Sequence, residues 1–339
     1  MSFKRLETDD FVISADAISA TVWSGGNPNL VAFFTSSTQE AGSSGNYYLN
    51  VYQTSSLLSD AEVQFAISYG NKHGSGSSFY NSAVTGSSPT RTIYGQYRTL
   101  VLADETQDFI FGGVSSSDFW ALSIDRSRYK EKLFLGSLGL KISGSAGTLY
   151  LTDNSRTTNA TSFNDAGRVY QLVSGSQGVV NTGVTSNGYS VSQGSYGLFL
   201  PDIGTIILNP LALSESIGLI PSQSFNGNGF NNRSLYRAIN GGAGAASGSF
   251  KLNSEETISS NYIFIRAKSS EFNYTENPSY ISGSTGEVLY DLFINNPQTY
   301  VTTIGLYNDV NDLLAVAKIS RPLLKDFTKE ALVRVKLDF

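Results

Sequence analysis

TYVTTIGLYNDVNDLLAVAKI (Thr299–Ile319), followed by SRPLLKDFTKEALVRVKLDF (Ser320–Phe339), carries the most information in this chain. Two β-rich runs flank the polar turn Asn308-Asp309-Val310-Asn311-Asp312, which predicts a hairpin. In the closing run Ala331, Val333, Val335, Leu337 and Phe339 point one way, and Arg334, Lys336 and Asp338 the other. Period two over nine residues is the mark of a half-buried strand, with Leu332 alone out of step. Termini fray unless something ties them down, so a strand carried this far predicts a docking partner for it.

The rest of the composition agrees. Apolar residues make up 40% and charged residues 15% of the 339, with 19 Tyr, 20 Phe and 33 Gly. An average domain is about 25% charged. Aromatic and β-branched residues favour strands, and Gly, Ser and Asn punctuate them. The expectation is an all-β protein of β-sandwich-like, mostly antiparallel domains, with one or two short helices and long Gly/Ser loops.

A net charge of −5 argues against a nucleic-acid partner, which needs a basic face for phosphates. The absence of cysteine removes disulfides and thiolate metal sites. Met1–Asp10 lacks the apolar core of a signal peptide, and no apolar run is long enough to span a membrane.

Strands are expected at Phe11–Ile13, Ala20–Trp23, Asn46–Tyr52, Glu62–Tyr69, Phe119–Asp125, Leu138–Ile142, Thr148–Leu151, Val169–Val173, Gly197–Leu200, Thr205–Leu208 and Tyr262–Lys268. One helix is well marked. Ser88 can cap it, Pro89 fits its first position, and Ile93, Tyr97, Leu100 and Val101 share a face, which predicts a helix over Thr90–Leu102. A second short helical piece is expected near Ser234–Ile239. The division this implies is a β-rich assembly domain, 1–88 plus 250–339, and a looser middle, 89–249.

No reading of catalysis gathers support. His73 is the only histidine, in the Gly/Ser loop Gly70–Pro89, and no G-x-S-x-G elbow is present. The acidic pairs Asp9-Asp10, Asp104-Glu105 and Glu255-Glu256, and Asp153, are unmarked by their neighbours. Gly241–Ala246 follows no strand, so it fails as a phosphate cradle. Asn308–Asp312 offers oxygens but lacks the glycine and distal Glu of a calcium loop. No cofactor or metal is expected. The aromatics Tyr47, Tyr48, Tyr52, Tyr69, Phe79 and Tyr80 fit either strand cores or a sugar-binding platform.

The phrases TTIGLYND (Thr302–Asp309), LLAVAKISRPLLKDF (Leu313–Phe327) and EALVRVKLDF (Glu330–Phe339) resemble the carboxyl ends of virion proteins from contractile-tailed, T4-like phages of marine bacteria. YGQY (Tyr94–Tyr97), RYKEKL (Arg128–Leu133), GRVY (Gly167–Tyr170) and NPSY (Asn277–Tyr280) extend the likeness. More distantly, the closing pattern is similar to the β-rich, dimeric baseplate wedge protein of T-even phages. The resemblance implies a non-enzymatic virion component, assembled in the host cytoplasm, with other tail and baseplate proteins as partners and a homodimer as its own state. A tail-fibre, collar or glycan-binding receptor protein is the alternative. The candidate assembly surface is then His73 and Tyr80 in the Gly70–Pro89 loop, the Ser174–Ser195 tract, the turn residues Asn308, Asp309, Asn311 and Asp312, and Phe339.

Overall fold

A computed structural model describes residues 3–31, 36–42, 45–54, 58–77, 88–157, 162–181, 191–224, 230–241, 248–275 and 277–338. Within them strands dominate, as composition predicts. In chain order they are β1 Phe11–Thr21, β2 Asn29–Val31, β3 Ser36–Gly42, β4 Gly45–Tyr52, β5 Val63–Asn71, β6 Phe109–Phe111 and β7 Val114–Ser116. Next come β8 Asp118–Ile124, β9 Lys132–Leu133, β10 Gly139–Ser143, β11 Thr148–Asp153, β12 Ser162–Asn164, β13 Gly167–Ser176 and β14 Val179–Val180. The last are β15 Gly197–Leu200, β16 Thr205–Leu208, β17 Ser249–Lys251, β18 Asn253–Ala267, β19 Thr299–Tyr307, β20 Leu313–Lys325 and β21 Ala331–Asp338. The helices are α1 Pro89–Leu102, α2 Pro210–Ile217, α3 Phe230–Ile239 and α4 Asp291–Asn295, more than the one or two expected. No helix among the described residues is long and apolar enough to cross a membrane.

The chain forms two compact units, Ile18–Glu256 and a second built from Met1–Ala17 with Thr257–Phe339. The chain passes from one to the other within β1 and within β18. The terminal segments share one unit, whose N-terminal part stops at Ala17 where the sequence reading placed the boundary at residue 88. The reason is β5: Phe65↔Ile124, Ile67↔Leu122 and Tyr69↔Trp120 knit it to β8, so 18–88 belongs to the middle of the chain.

The larger unit is built on one antiparallel sheet in the order β2-β17-β10-β11-β13-β15-β16-β8-β5-β4-β3, with β12 and β14 attached to β13. Its central strands are apolar on both faces, the pattern of a sheet covered twice. Phe199, Ile206, Leu122 and Ile67 form one cross-strand row. They join the main core with Ala212, Leu213 and Ile217 of α2 and Leu235, Ala238 and Ile239 of α3. Leu198, Ile207 and Ala121 face the other way, against Ile93, Tyr94 and Val101 of α1. Phe65 of β5 and Phe250 of β17 stand far apart in the strand order, yet their rings meet at 5.3 Å. The sheet therefore curls over itself, and Trp23 seals the seam by donating Nε1–H to the Phe250 carbonyl at 2.8 Å. Gly197, in the middle of this sheet, has φ +153°, and a Cβ there would collide with the Ile207 carbonyl oxygen.

α1 follows its predicted signals closely. Ser88 Oγ accepts from Arg91 N, Pro89 is first, and Ala103 closes the helix in the left-handed region. Tyr94, not Leu100, fills the buried face: its ring lies 5.5 Å from Phe119, while Leu100 is exposed. The segment predicted as a strand at Ala20–Trp23 is the end of β1 followed by a turn.

Candidate assembly surface

The loop after β5 is tied down at both ends. Asn71 is buried, and its Oδ1 accepts from the backbone N–H groups of His73 and Ser75. Ser88 Oγ donates to the Gly74 carbonyl, and Ser77 bonds Thr90. Gly76, at φ +86°, lies where a Cβ would press on the Ser222 carbonyl at 2.8 Å. His73 is exposed at the turn. Tyr80 and the remainder of the loop, 78–87, lie outside the described residues, as does Phe339. Excision of Asn71–Ser88 would thus remove a buried network and the α1 cap. The Ser174–Ser195 tract is likewise partly strand: Ser174–Ser176 close β13, and Gly175↔Val180 pairs it with β14. Residues 182–190 of that tract lie outside the described residues.

Next to Asn71 lies a buried polar cluster. Tyr69 OH donates to Asp118 Oδ2 at 2.7 Å, Ser116 Oγ donates to Asp118 Oδ1 at 3.1 Å, and Gln223 Nε2 donates to Tyr69 OH at 3.2 Å. Asn71 Nδ2 in turn reaches Gln223 Oε1 at 3.3 Å. Burial pushes the Asp118 carboxyl above its usual range, against the lowering effect of these donors. Burial raises the Tyr69 phenol too, helped by the Asp118 charge. Both carboxylate oxygens are occupied by internal donors, which is the arrangement of a structural lock. Beside it Lys72 pairs with Asp108 at 2.7 Å.

A folded carboxyl that binds its proton more readily than the unfolded one contributes stability as pH falls through its folded value, and loses it as pH rises. Wild type should therefore gain stability relative to Asp118→Asn as pH drops from 7 toward about 4. Parallel melting curves for the two proteins across that range would contradict this.

The terminal unit has the opposite character. Among its described residues three hydrophobic side chains, Ile263, Ala331 and Val335, are buried. Most of the exposed large apolar side chains among the described residues belong to this smaller unit: Ile13 is 75% exposed, Leu292 87%, Tyr300 62% and Leu314 68%. β21 pairs with β18 from Ser260↔Asp338 to Ala267↔Ala331. Its alternation is as predicted, with Ala331 and Val335 buried and Leu332, Arg334 and Lys336 outward. β19 and β20 form a separate two-stranded sheet. A two-stranded hairpin is marginal in water by itself, so this one needs help.

Part of that help is internal. Lys325 is fully buried, and its Nζ donates to the Ser269 carbonyl at 2.9 Å, Asn273 Oδ1 at 3.0 Å and the Asp326 carbonyl at 3.0 Å. Asn273 Nδ2 donates back to the Ser269 carbonyl at 2.7 Å. One ammonium thus ties the end of β20 to the 268–273 turn. Phe3 stands edge-on to Tyr307 at 5.2 Å, and Tyr280 meets Tyr290 and Phe293 at 5.2 and 5.7 Å.

The predicted turn residues come together at the tip of the β19–β20 hairpin. Asn308 Oδ1 accepts from Val310 N and from Asp312 N, Asn308 Nδ2 donates to Asp312 Oδ2 at 3.1 Å, and Asn311 takes φ +65°. Their polar atoms shape the turn, as local Asn/Asp hydrogen bonds do. Asp309 and Val310 project from it, exposed. No cluster of three or more His or acidic side chains suited to a metal occurs among the described residues. The anchor Lys325 and the apolar surface around it went unmarked in the sequence reading, although the low charge of Thr299–Ala317 was a visible signal for the second.

Comparison with protein-family models, with curated proteins and with solved structures finds no match for this chain.

Proposed function

We propose that this chain is a non-enzymatic structural component of a contractile phage tail: a baseplate wedge subunit that works by protein–protein assembly, as a homodimer within a larger complex in the virion. The observation that carries the assembly part is the terminal unit, whose exposed side chains include Ile13, Leu292, Tyr300 and Leu314. Large exposed apolar patches on a protein mark contact sites, and these side chains supply the material for one. The tail assignment rests on the likeness of Thr302–Phe339 to tail virion proteins. The larger unit supplies the rigid body, and the loop predicted at Gly70–Pro89 a second contact segment.

The test is incorporation. Antibody labelling should find the chain in purified particles, at the tail. A Tyr300→Asp, Leu314→Asp double variant should fold its larger unit normally and be depleted from particles at least about tenfold, the loss expected when apolar anchors at an interface are replaced by charge. Normal incorporation of that variant contradicts the assembly surface, and absence of the wild-type chain from particles contradicts the tail assignment. Saturable glycan binding by the purified chain would favour the receptor alternative.

A further inference from the structure

Resting on that reading, we infer that the partner met by the open edge of β20 is β20 of a second copy of this chain, paired antiparallel about a twofold axis at Val316. In the two-stranded sheet β20 pairs on one side only, with β19. The side chains of β19 have company: Tyr307 packs against Phe3, and Thr299 Oγ1 donates to the Phe272 carbonyl at 3.2 Å. No pairing partner occurs along the outer edge of β20 among the described residues.

Proteins protect such edges with charges, prolines or bulges, because an unprotected edge pairs with the nearest copy of itself. In β20 those devices are concentrated at one end. The ladder to β19 is regular from Gly305↔Val316 to Thr303↔Lys318, then breaks in a bulge before Leu323, and Arg321 and Pro322 lie inside the break. Proline has no N–H to give to a ladder, so pairing must stop there. From Leu313 to Ile319 the strand carries one charge, Lys318. Leu313, Leu314 and Val316 are more than half exposed.

The middle of that open segment is Val316. A twofold axis there sets Val316 opposite Val316 of the second copy, Ala315 opposite Ala317, Leu314 opposite Lys318 and Leu313 opposite Ile319. The one charge then faces a leucine along which its aliphatic stem can lie. A shift that centres the pair on Lys318 would set two ammonium groups face to face, which is disfavoured. The valine at the centre suits a strand, where β-branched side chains fit the pleated surface. The product is a four-stranded sheet, β19-β20-β20-β19, in place of two marginal hairpins.

The chain has no cysteine, so single introduced thiols report the register cleanly. Under mild oxidation Val316→Cys should form a disulfide-linked dimer at least about tenfold faster than Leu314→Cys or Ala317→Cys, because only directly opposed Cβ atoms come within bonding range. Sedimentation of wild type at about 10 µM should show a dimer, reached at ordinary protein–protein affinity. Val316→Lys should sediment as a monomer with unchanged circular dichroism, and mixing it with Val316→Glu should restore the dimer. A monomeric wild type, or cross-linking no faster at 316 than at 314, overturns the pairing. So does cross-linking of Val316→Cys solely to a different protein in particles. These outcomes are separable from the tail assignment: a chain absent from virions that still dimerises through Val316 sinks the assignment and leaves the pairing intact.

Discussion

Replacing Trp120 with Ala should lower the stability of the larger unit by about 3–5 kcal/mol, the range for removing a fully buried tryptophan. Trp120 sits on β8, the strand joining β16 to β5, with no exposure to solvent. Its ring packs 5.6 Å from Tyr69, and its Nε1–H satisfies the Asn231 carbonyl at 3.0 Å. Truncation leaves a cavity between β8 and α3 and deprives that carbonyl of its donor. Asn231 also clamps Ser222, accepting its N–H at 2.8 Å and donating to its carbonyl at 3.0 Å, so the loop carrying Gln223 should loosen with it. Chemical denaturation should show a lower midpoint with an unchanged slope for this unit. A loss under about 1 kcal/mol would mean that the site collapses around the missing ring and that the core is less closely packed than its geometry indicates.

Lys325→Met is the counterpart in the terminal unit. The substitution keeps the length and most of the apolar stem, but the Ser269 and Asp326 carbonyls and Asn273 Oδ1 each lose a donor. An unsatisfied buried acceptor costs about 1–3 kcal/mol, and relief from burying a charge offsets part of it. The expected net loss is about 3 kcal/mol, which a unit with so few buried side chains cannot absorb. Hydrogen exchange should rise through β19, β20 and the 268–273 turn, while β5, β8 and β16 keep their protection. Incorporation into particles should fall with it. Unaltered exchange in β20 would show that the apolar contacts alone hold the hairpin.

Local signals in this chain were readable where one element decides its own structure. The cap and proline at Ser88-Pro89, the alternation of Ala331–Leu337 and the turn at Asn308–Asp312 each settle their own backbone. Strands such as Gly197–Leu200 and Thr205–Leu208 stood out because their apolar runs are bounded by glycine and proline. The helix at Pro210–Ile217 was passed over, although Asn209 caps it, Pro210 opens it and Gly218 ends it, the same grammar as at Ser88. What the sequence concealed depends on distant partners. Nothing near Phe65 announces Phe250, so neither the curl of the sheet nor the placing of residues 18–88 in the larger unit could be read locally. Tyr69 fitted either a strand core or a sugar-binding platform, and only Asp118, from another strand, shows it as a buried donor. Lys325 went unmarked because its three acceptors come from the backbone and from a single asparagine.

The terminal unit draws on residues before 18 and after 256, with the whole larger unit between them in the chain. On the ribosome, β1 therefore emerges well before the partner strand it will lie beside. At about 5–20 residues per second the wait is on the order of tens of seconds. Throughout that interval the larger unit can finish folding while the apolar surface proposed for assembly is still incomplete. On the proposed assembly role, a nascent chain stalled before β18 lacks its main contact surface, and the order of translation reserves that surface for polypeptides whose body is already complete.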